Sequence, residues 1–122
     1  MSLSGFRGDV MMGVYTVMDA LEELEELRLN LLDKAEEYLR RGNNDAVAAM
    51  IVSIEMEVRE LVREGRRLRL RGELDREVYK TLIDGYYDVL GEVWKLTEKY
   101  GAKDDVRLFY IMRLDAIARA RR

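Results

Sequence analysis

Two arginines, Arg28 and Arg113, stand where the surrounding sequence predicts inward-facing helix positions. Apolar residues recur every three or four positions around each of them, which is the spacing of one buried helix face. A guanidinium group offers five donors in a planar fork, so it suits a carboxylate, a phosphate or a carbonyl-bearing heterocycle. We therefore expect the two arginines to bind either the polar group of a ligand or a carboxylate of the protein itself, near the middle of the fold.

Small and aromatic residues occur on the helix faces next to these arginines. Counting outward from the predicted turns places Arg28 and Arg113 in one layer, with glutamates at its border. A glycine inside a helix costs about 1 kcal/mol relative to alanine, so each one on a buried face needs a reason. Apolar walls with a few convergent polar groups are typical of small-molecule sites. The predicted ligand-binding residues are Arg28, Arg113, Tyr79, Tyr86, Tyr110, Gly65, Gly85, Ala116, Glu57 and Glu92.

The same residues allow a structural interpretation. Both arginines could be held by the flanking glutamates, Glu55 among them, in a buried ion network. Such a network is weak support for a function, because buried ion pairs also occur without one. The glycines could simply admit tyrosine rings or the ring of Phe6. An open volume between the helices would favour the ligand, and satisfied arginines would favour the network.

Four amphipathic segments must position these side chains. The most apolar segment, 78–100, carries apolar residues on more than one face and should lie at the centre of the fold. The sequence predicts one all-α domain over residues 1–122, an antiparallel up-down-up-down four-helix bundle with a shorter fourth helix. Glycines after a basic or aromatic residue, Gly42 and Gly101, predict helix ends. The helices are predicted at about 9–41, 44–71, 75–100 and 104–121.

The composition excludes several kinds of site. The 122 residues contain no Cys and no His, which removes thiolate nucleophiles, the commonest zinc ligands and the usual general base. We therefore predict no catalytic residues, no metal, no cofactor and no enzymatic activity. No apolar run approaches the ~20 residues of a membrane span. We expect a soluble protein, cytoplasmic if it is natural or expressed recombinantly, that binds no membrane.

Apolar residues away from the predicted buried faces support a second hypothesis. Exposed methionines and aromatics can form a protein interface, and self-association as a homodimer is its simplest form. The partner under the first hypothesis is instead a small organic ligand with a carboxylate, phosphate or carbonyl group. The residues of the predicted interface are Tyr87, Gly91, Trp94, Met11, Tyr15, Met18, Val52 and Met56.

Arginines concentrate at one end of the predicted bundle and support a third hypothesis. Cations at helix C-termini are favoured by the helix dipole, but the same cluster could attract an anion or a nucleic acid. The formal net charge of -3 disfavours nucleic acid. The tripeptide Arg7-Gly8-Asp9 matches an integrin-recognition sequence, although three-residue matches arise by chance. The clustered arginines are Arg63, Arg66, Arg67, Arg69, Arg71, Arg76, Arg119, Arg121 and Arg122.

The junction between the first two helices, Arg40-Arg41-Gly42-Asn43-Asn44-Asp45-Ala46-Val47, resembles those of computationally designed four-helix bundles, including de novo drug-binding ones. The absence of Cys, His and Pro is compatible with a designed origin. The resemblance covers architecture and loops, so it implies a bundle and transfers no functional residues. Unequal helix lengths and the predominance of Arg over Lys also fit a natural hyperthermophile protein.

Overall fold

The computed structural model describes residues 16–70 and 75–121 of the chain. These residues form an all-α four-helix bundle, as predicted. The helices are α1 (Val17–Arg40), α2 (Asn44–Leu70), α3 (Arg76–Lys99) and α4 (Lys103–Ala120). Each helix reverses the direction of the one before it, and α4, with 18 residues, is the shortest. The described bounds of α2, α3 and α4 agree with the predicted ones to within a residue or two at each described end.

The start of α1 differs from the prediction. Thr16 has an extended backbone, with φ -98° and ψ 170°, so a helix cannot continue through it. Asp19 N–H donates to Thr16 Oγ1 at 3.2 Å, and Thr16 N–H donates to Asp19 Oδ2 at 2.8 Å. This reciprocal capping box satisfies two backbone donors at the helix start. α1 therefore begins at Val17 and not near Asp9; residues 9–15 lie outside the described residues.

Glycines end α1 and α3, as the sequence predicts. Gly42 has φ +70° and Gly101 has φ +66°, in the left-handed region that L side chains avoid. The N–H of Asn43 donates to Tyr38 O at 2.9 Å, which is the long hydrogen bond of a Schellman turn. The same bond pattern follows Gly101. Both chain reversals at this end of the bundle are therefore encoded by one residue type at one position.

Side chains also cap the starts of α2 and α3. The amide oxygen of Asn43 accepts from Ala46 N–H at 3.2 Å. The Asp75 carboxylate accepts from the N–H groups of Glu77 and Val78. Each bond satisfies a backbone donor that has no partner within the first helical turn, and typically contributes about 1 kcal/mol. The Asn and Asp residues at these two helix starts are of the types preferred at N-caps.

The helices are not equivalent in their packing. The most extensive interfaces join α1 to α3 and α2 to α4, while α2 and α3 also contact each other. α1 and α4 share no interface of comparable extent, so they lie on opposite sides of the central pair. As predicted, α3 is contacted from several sides. Its buried residues are Val78, Leu82, Tyr86, Val89, Leu90, Val93 and Thr97.

The contact between α1 and α3 depends on Gly85. A Cβ atom placed on Gly85 would lie 2.8 Å from Leu24 Cδ2, closer than real Cβ contacts come, and 3.1 Å from Leu24 Cγ, which is a tight contact. Leu24 is itself buried, so its branched end occupies the space that a side chain at position 85 would need. Gly91 is a useful contrast, because a Cβ there would meet no atom within 4 Å.

We predict opposite effects for alanine at these two glycines. Gly91→Ala should raise the free energy of unfolding by up to about 1 kcal/mol, because alanine is the better helix former and meets no neighbour. Gly85→Ala gains the same helix propensity but must displace buried Leu24, so we expect a net loss of about 1–2 kcal/mol. Urea unfolding followed by circular dichroism measures both. Equal stabilisation by the two substitutions would contradict the packing argument.

Candidate functional site

Arg28 is held by carboxylates. Its Nε donates to Glu92 Oε2 on α3 at 2.8 Å, and its Nη1 donates to Glu25 Oε1 at 3.2 Å. The hydrogen bond and charge of Glu92, together with the charge of Glu25, raise the pKa of Arg28. The side chain is 38% exposed, so the pair lies at the edge of the core. Arg28 and Glu92 lie close together, as predicted. They form an ion pair, which agrees with the structural interpretation.

Arg113 bonds to a different helix. Its Nε and Nη2 both lie 3.0 Å from Asp45 Oδ1, in the first turn of α2. A carboxylate at this position is also favoured by the α2 dipole. Arg28 binds α3 from one side of the bundle, and Arg113 binds α2 from the other. The two arginines therefore have separate carboxylate partners, and none of the described hydrogen bonds or ion pairs joins them in one site.

The predicted small residues do not border one shared space. A Cβ on Gly65 would lie 3.4 Å from Cδ1 of Tyr79, so the tyrosine ring packs over that glycine. The space at Gly85 holds Leu24. Ala116 is exposed on α4. The structural interpretation, in which glycines admit neighbouring side chains, accounts for both glycines, although at Gly85 the neighbour is an aliphatic residue and not a ring.

Tyr86 lies with two carboxylates between α1, α2 and α3. The residue is 5% exposed, and Glu57 Oε2 is buried with no hydrogen-bond partner in the described residues. Burial first, then the negative charges of Glu57 and Glu23, raise the pKa of Tyr86 to about 12. Tyr86 and Glu57, two of the predicted site residues, thus lie close together. Glu23 of α1, which is half-buried, also acts on Tyr86 through its charge.

Tyr110 joins three helices. Its hydroxyl donates to the Glu55 carboxylate on α2, with both oxygens at 2.9 Å. Its ring meets Trp94 of α3 edge-on, with centroids 5.8 Å apart and planes at 86°. Burial, followed by the hydrogen bond and charge of Glu55, raises the pKa of Tyr110. Tyr110 is thus a structural link, and Glu55 is engaged by a tyrosine where an arginine was expected.

An open groove of about 410 Å³ lies between α3 and α4. Trp94, Tyr110 and Ile111 form its apolar wall, and Lys103 and Arg107 supply cations. Lys103 Nζ is 2.6 Å from Glu98 Oε1. Arg107 forms no ion pair within residues 16–70 and 75–121. The groove forms only where α3 and α4 meet, so no pattern within one helix predicts it.

The outer face of α4 is apolar and open. Leu108, Ile111 and Met112 are 57%, 54% and 56% exposed, and Ile111 and Met112 each lie about one helical turn after Leu108 on the same face. Val106 is the one fully buried residue of α4. We call Leu108, Ile111 and Met112 the α4 face. Their i, i+3, i+4 spacing is visible in the sequence, but the spacing alone does not show which face of the helix is left uncovered.

The predicted interface residues are divided by the structure. Tyr87, Met18 and Met56 are exposed at 56%, 65% and 43%, as expected. Val52 is buried, which corrects its assignment to a surface, because α2 packs against neighbours on more than one side. Trp94 is half-buried under Tyr110. Phe6, the tripeptide at 7–9, Met11 and Tyr15 lie outside the described residues.

Three arginines of the arginine-rich end form ion pairs within their own helices. Arg63 pairs with Glu60 at 3.0 Å, Arg67 with Glu64 at 2.6 Å, and Arg119 with Asp115 at 3.0 Å. Each partner is three or four residues away on the same helix, the usual geometry of an exposed helical ion pair. These pairs support the interpretation as helix capping and solvation. Arg71 and Arg122 lie outside the described residues, as do the contacts of the Arg69 side chain.

The described residues form neither a metal site nor a membrane span. Within residues 16–70 and 75–121, no three carboxylates converge closely enough to hold a metal ion. None of the described helices is long and apolar enough to cross a membrane. No protein-family model matches the chain, and no curated protein or solved structure shows significant similarity to it.

We predict that Tyr86 makes the fold sensitive to alkali. Its folded-state pKa of about 12 exceeds the ordinary value of 10.0, so the native state holds this proton more tightly than the unfolded chain. The associated stability is fully present below about pH 10 and is lost as the pH rises through about 12. Urea unfolding at several alkaline pH values should show a weaker pH dependence for Tyr86→Phe than for the wild type.

The matched control is Tyr87→Phe, which removes a hydroxyl from an exposed tyrosine of the same helix. We expect it to retain the wild-type pH dependence. The assignment to Tyr86 is wrong if Tyr86→Phe and the wild type lose stability in parallel.

Proposed function

We propose that this protein is a non-catalytic helical interaction module that docks onto another helix through the α4 face. The proposal rests on α4, which exposes more large apolar residues than it fully buries. Its 18 residues bury Val106 alone, while three large apolar side chains each expose about half of their surface or more. Contiguous exposed apolar residues on a folded protein commonly mark an interaction surface.

The spacing of the α4 face suits a helical partner. Residues at i, i+3 and i+4 form a short stripe along a helix, and such stripes pack into the grooves of a second helix. Removing a large apolar side chain fully from water contributes about 1.5–3 kcal/mol, so covering a half-exposed one contributes about 1 kcal/mol. Three such side chains at the centre of an interface would act as its main anchors.

The state of the predicted core site also favours this proposal over a ligand held at Arg28 and Arg113. Both arginines have carboxylate partners, so neither needs a ligand to satisfy its charge. Leu24 and the Tyr79 ring occupy the spaces beside the two glycines. Self-association is the simplest docking event, because it requires no component other than the chain itself. A designed origin, which the α1–α2 junction suggests, remains a separate proposal.

We predict that Ile111→Gln weakens self-association by about tenfold or more, because it removes apolar surface from the centre of the α4 face. Sedimentation velocity over a range of protein concentrations measures the effect. Leu29→Gln on α1 is the matched control, since Leu29 is 51% exposed and Ile111 is 54% exposed. The control should associate like the wild type. A wild-type protein that stays monomeric at every concentration would refute the proposal.

A small organic ligand is a second candidate, favoured by the groove between α3 and α4. Its aromatic wall and Arg107, which forms no ion pair with the described residues, suit an aromatic anion whose ring would stack near Trp94. The ligand would again be an organic molecule with an anionic group, one of the kinds predicted from the sequence, and Tyr110 would again contact it. This proposal moves the ligand from the core to the surface groove.

We predict that anilinonaphthalene sulfonate, an aromatic anion, binds this groove and accepts fluorescence energy from Trp94, the single tryptophan of the chain. Arg107→Gln should weaken binding several-fold, because it removes a charged donor for the sulfonate. Arg66→Gln, an exposed arginine on α2, is the control and should leave the affinity unchanged. The titration uses dilute, monomeric protein. Equal affinity of both variants and the wild type would exclude the groove as an anion site.

A further inference from the structure

Charged residues of both signs border the α4 face, and their order along the helix runs from an acidic residue to a basic one. Asp104 is exposed in the first turn of α4, and Arg119 is exposed in its last turn. Leu108, Ile111 and Met112 lie between them. At 100° per residue, Asp104, Leu108, Asp115 and Arg119 all fall within about 30° of the centre of the exposed face. The apolar stripe therefore has Asp104 at one end and the Asp115–Arg119 ion pair at the other.

Such a surface is complementary to itself in one direction only. Two copies of α4 placed antiparallel, with a two-fold axis between Ile111 and Met112, bring Asp104 of each copy level with Arg119 of the other. The same axis brings Arg107 to within a turn of Asp115 of the second copy. A parallel arrangement would instead place Asp104 beside Asp104 and Arg119 beside Arg119, where like charges repel.

We propose that the occupant of the α4 face is α4 of a second copy of this chain, packed antiparallel about a two-fold axis between Ile111 and Met112. This inference rests on the proposed docking function and adds the partner, the segment that docks and its direction. An isologous contact of this kind uses the same patch on both copies, so it closes at the dimer. The helix dipoles are also antiparallel in this arrangement, which is the favourable orientation.

Arg107 gains a partner in this dimer. It forms no ion pair within the described part of one chain, and it projects beside Ile111 at the border of the groove. Asp115 is 3.0 Å from Arg119 of its own helix, so Asp115 and Arg119 would share their charges with the second copy in a small network. Because the charged groups are exposed, they act mainly on direction and register, while the apolar residues supply most of the affinity.

A spin-label distance measures the direction directly. The chain has no Cys, so Arg121→Cys creates a single labelling site near the end of α4. In the antiparallel dimer the two labels lie at opposite ends, about 30 Å apart from the rise of 1.5 Å per residue. In a parallel dimer they lie on adjacent helix ends, roughly 10 Å apart. Pulsed electron resonance separates these distances.

Charge reversal gives an independent test. Asp104→Lys alone and Arg119→Glu alone each make both end contacts repulsive, and each should weaken the dimer about tenfold. An equimolar mixture of the two variants restores opposite charges at both ends of the mixed dimer. We therefore expect the mixture to associate like the wild type. Circular dichroism of each variant confirms that α4 remains folded.

The outcomes separate this inference from the function on which it rests. A label distance near 30 Å with rescue in the mixture supports the antiparallel dimer. A dimer with a short label distance, or species that keep growing with concentration, overturns the antiparallel inference but leaves α4 as a docking face if Ile111→Gln weakens association. A monomer at all concentrations overturns both.

Discussion

The close packing of α1 against α3 is the contact on which the arrangement of the four helices depends. Leu24 lies against the backbone of α3 at Gly85, so a side chain at position 85 would have to displace Leu24. This approach buries Leu24 on one helix and the apolar stripe of α3 on the other. Because α3 is occupied by α1 on this side and by α2 on another, α4 packs chiefly on α2.

The open surface of α4 follows from that arrangement. In a square bundle, α4 would touch both α1 and α3 and would cover its apolar residues there. Here α1 and α4 lie on opposite sides of the central pair, so α4 has one principal neighbour. Its 18 residues also extend over only part of the 27 residues of α2. An apolar face that would be internal in a closed bundle is left in contact with water, which is unfavourable unless a partner covers it.

The polar side chains mainly join the outer helices, α1 and α4, to the central pair. They do not converge on one internal site. The Arg28–Glu92 pair joins α1 to α3, and the Arg113–Asp45 pair joins α4 to α2. Tyr110 adds a second bond from α4 to α2 through Glu55. Each of these contacts is partly exposed, so its net contribution to stability is small, about 0–1 kcal/mol. They favour one rotation of each helix over another, because a rotated helix would lose its partner.

The sequence by itself determined the fold class, the number of helices in the described chain, their ends at Gly42 and Gly101, and the central position of α3. These features depend on hydrophobic periodicity and on backbone conformation, which are local properties of the chain. The tertiary structure decided what the sequence left open: that Arg28 and Arg113 lie on different helix pairs, that Leu24 fills the space at Gly85, and that the α4 face is exposed. Those outcomes depend on which helices become neighbours and how each is rotated, and a rotation of a fraction of a turn exchanges a buried side chain for an exposed one.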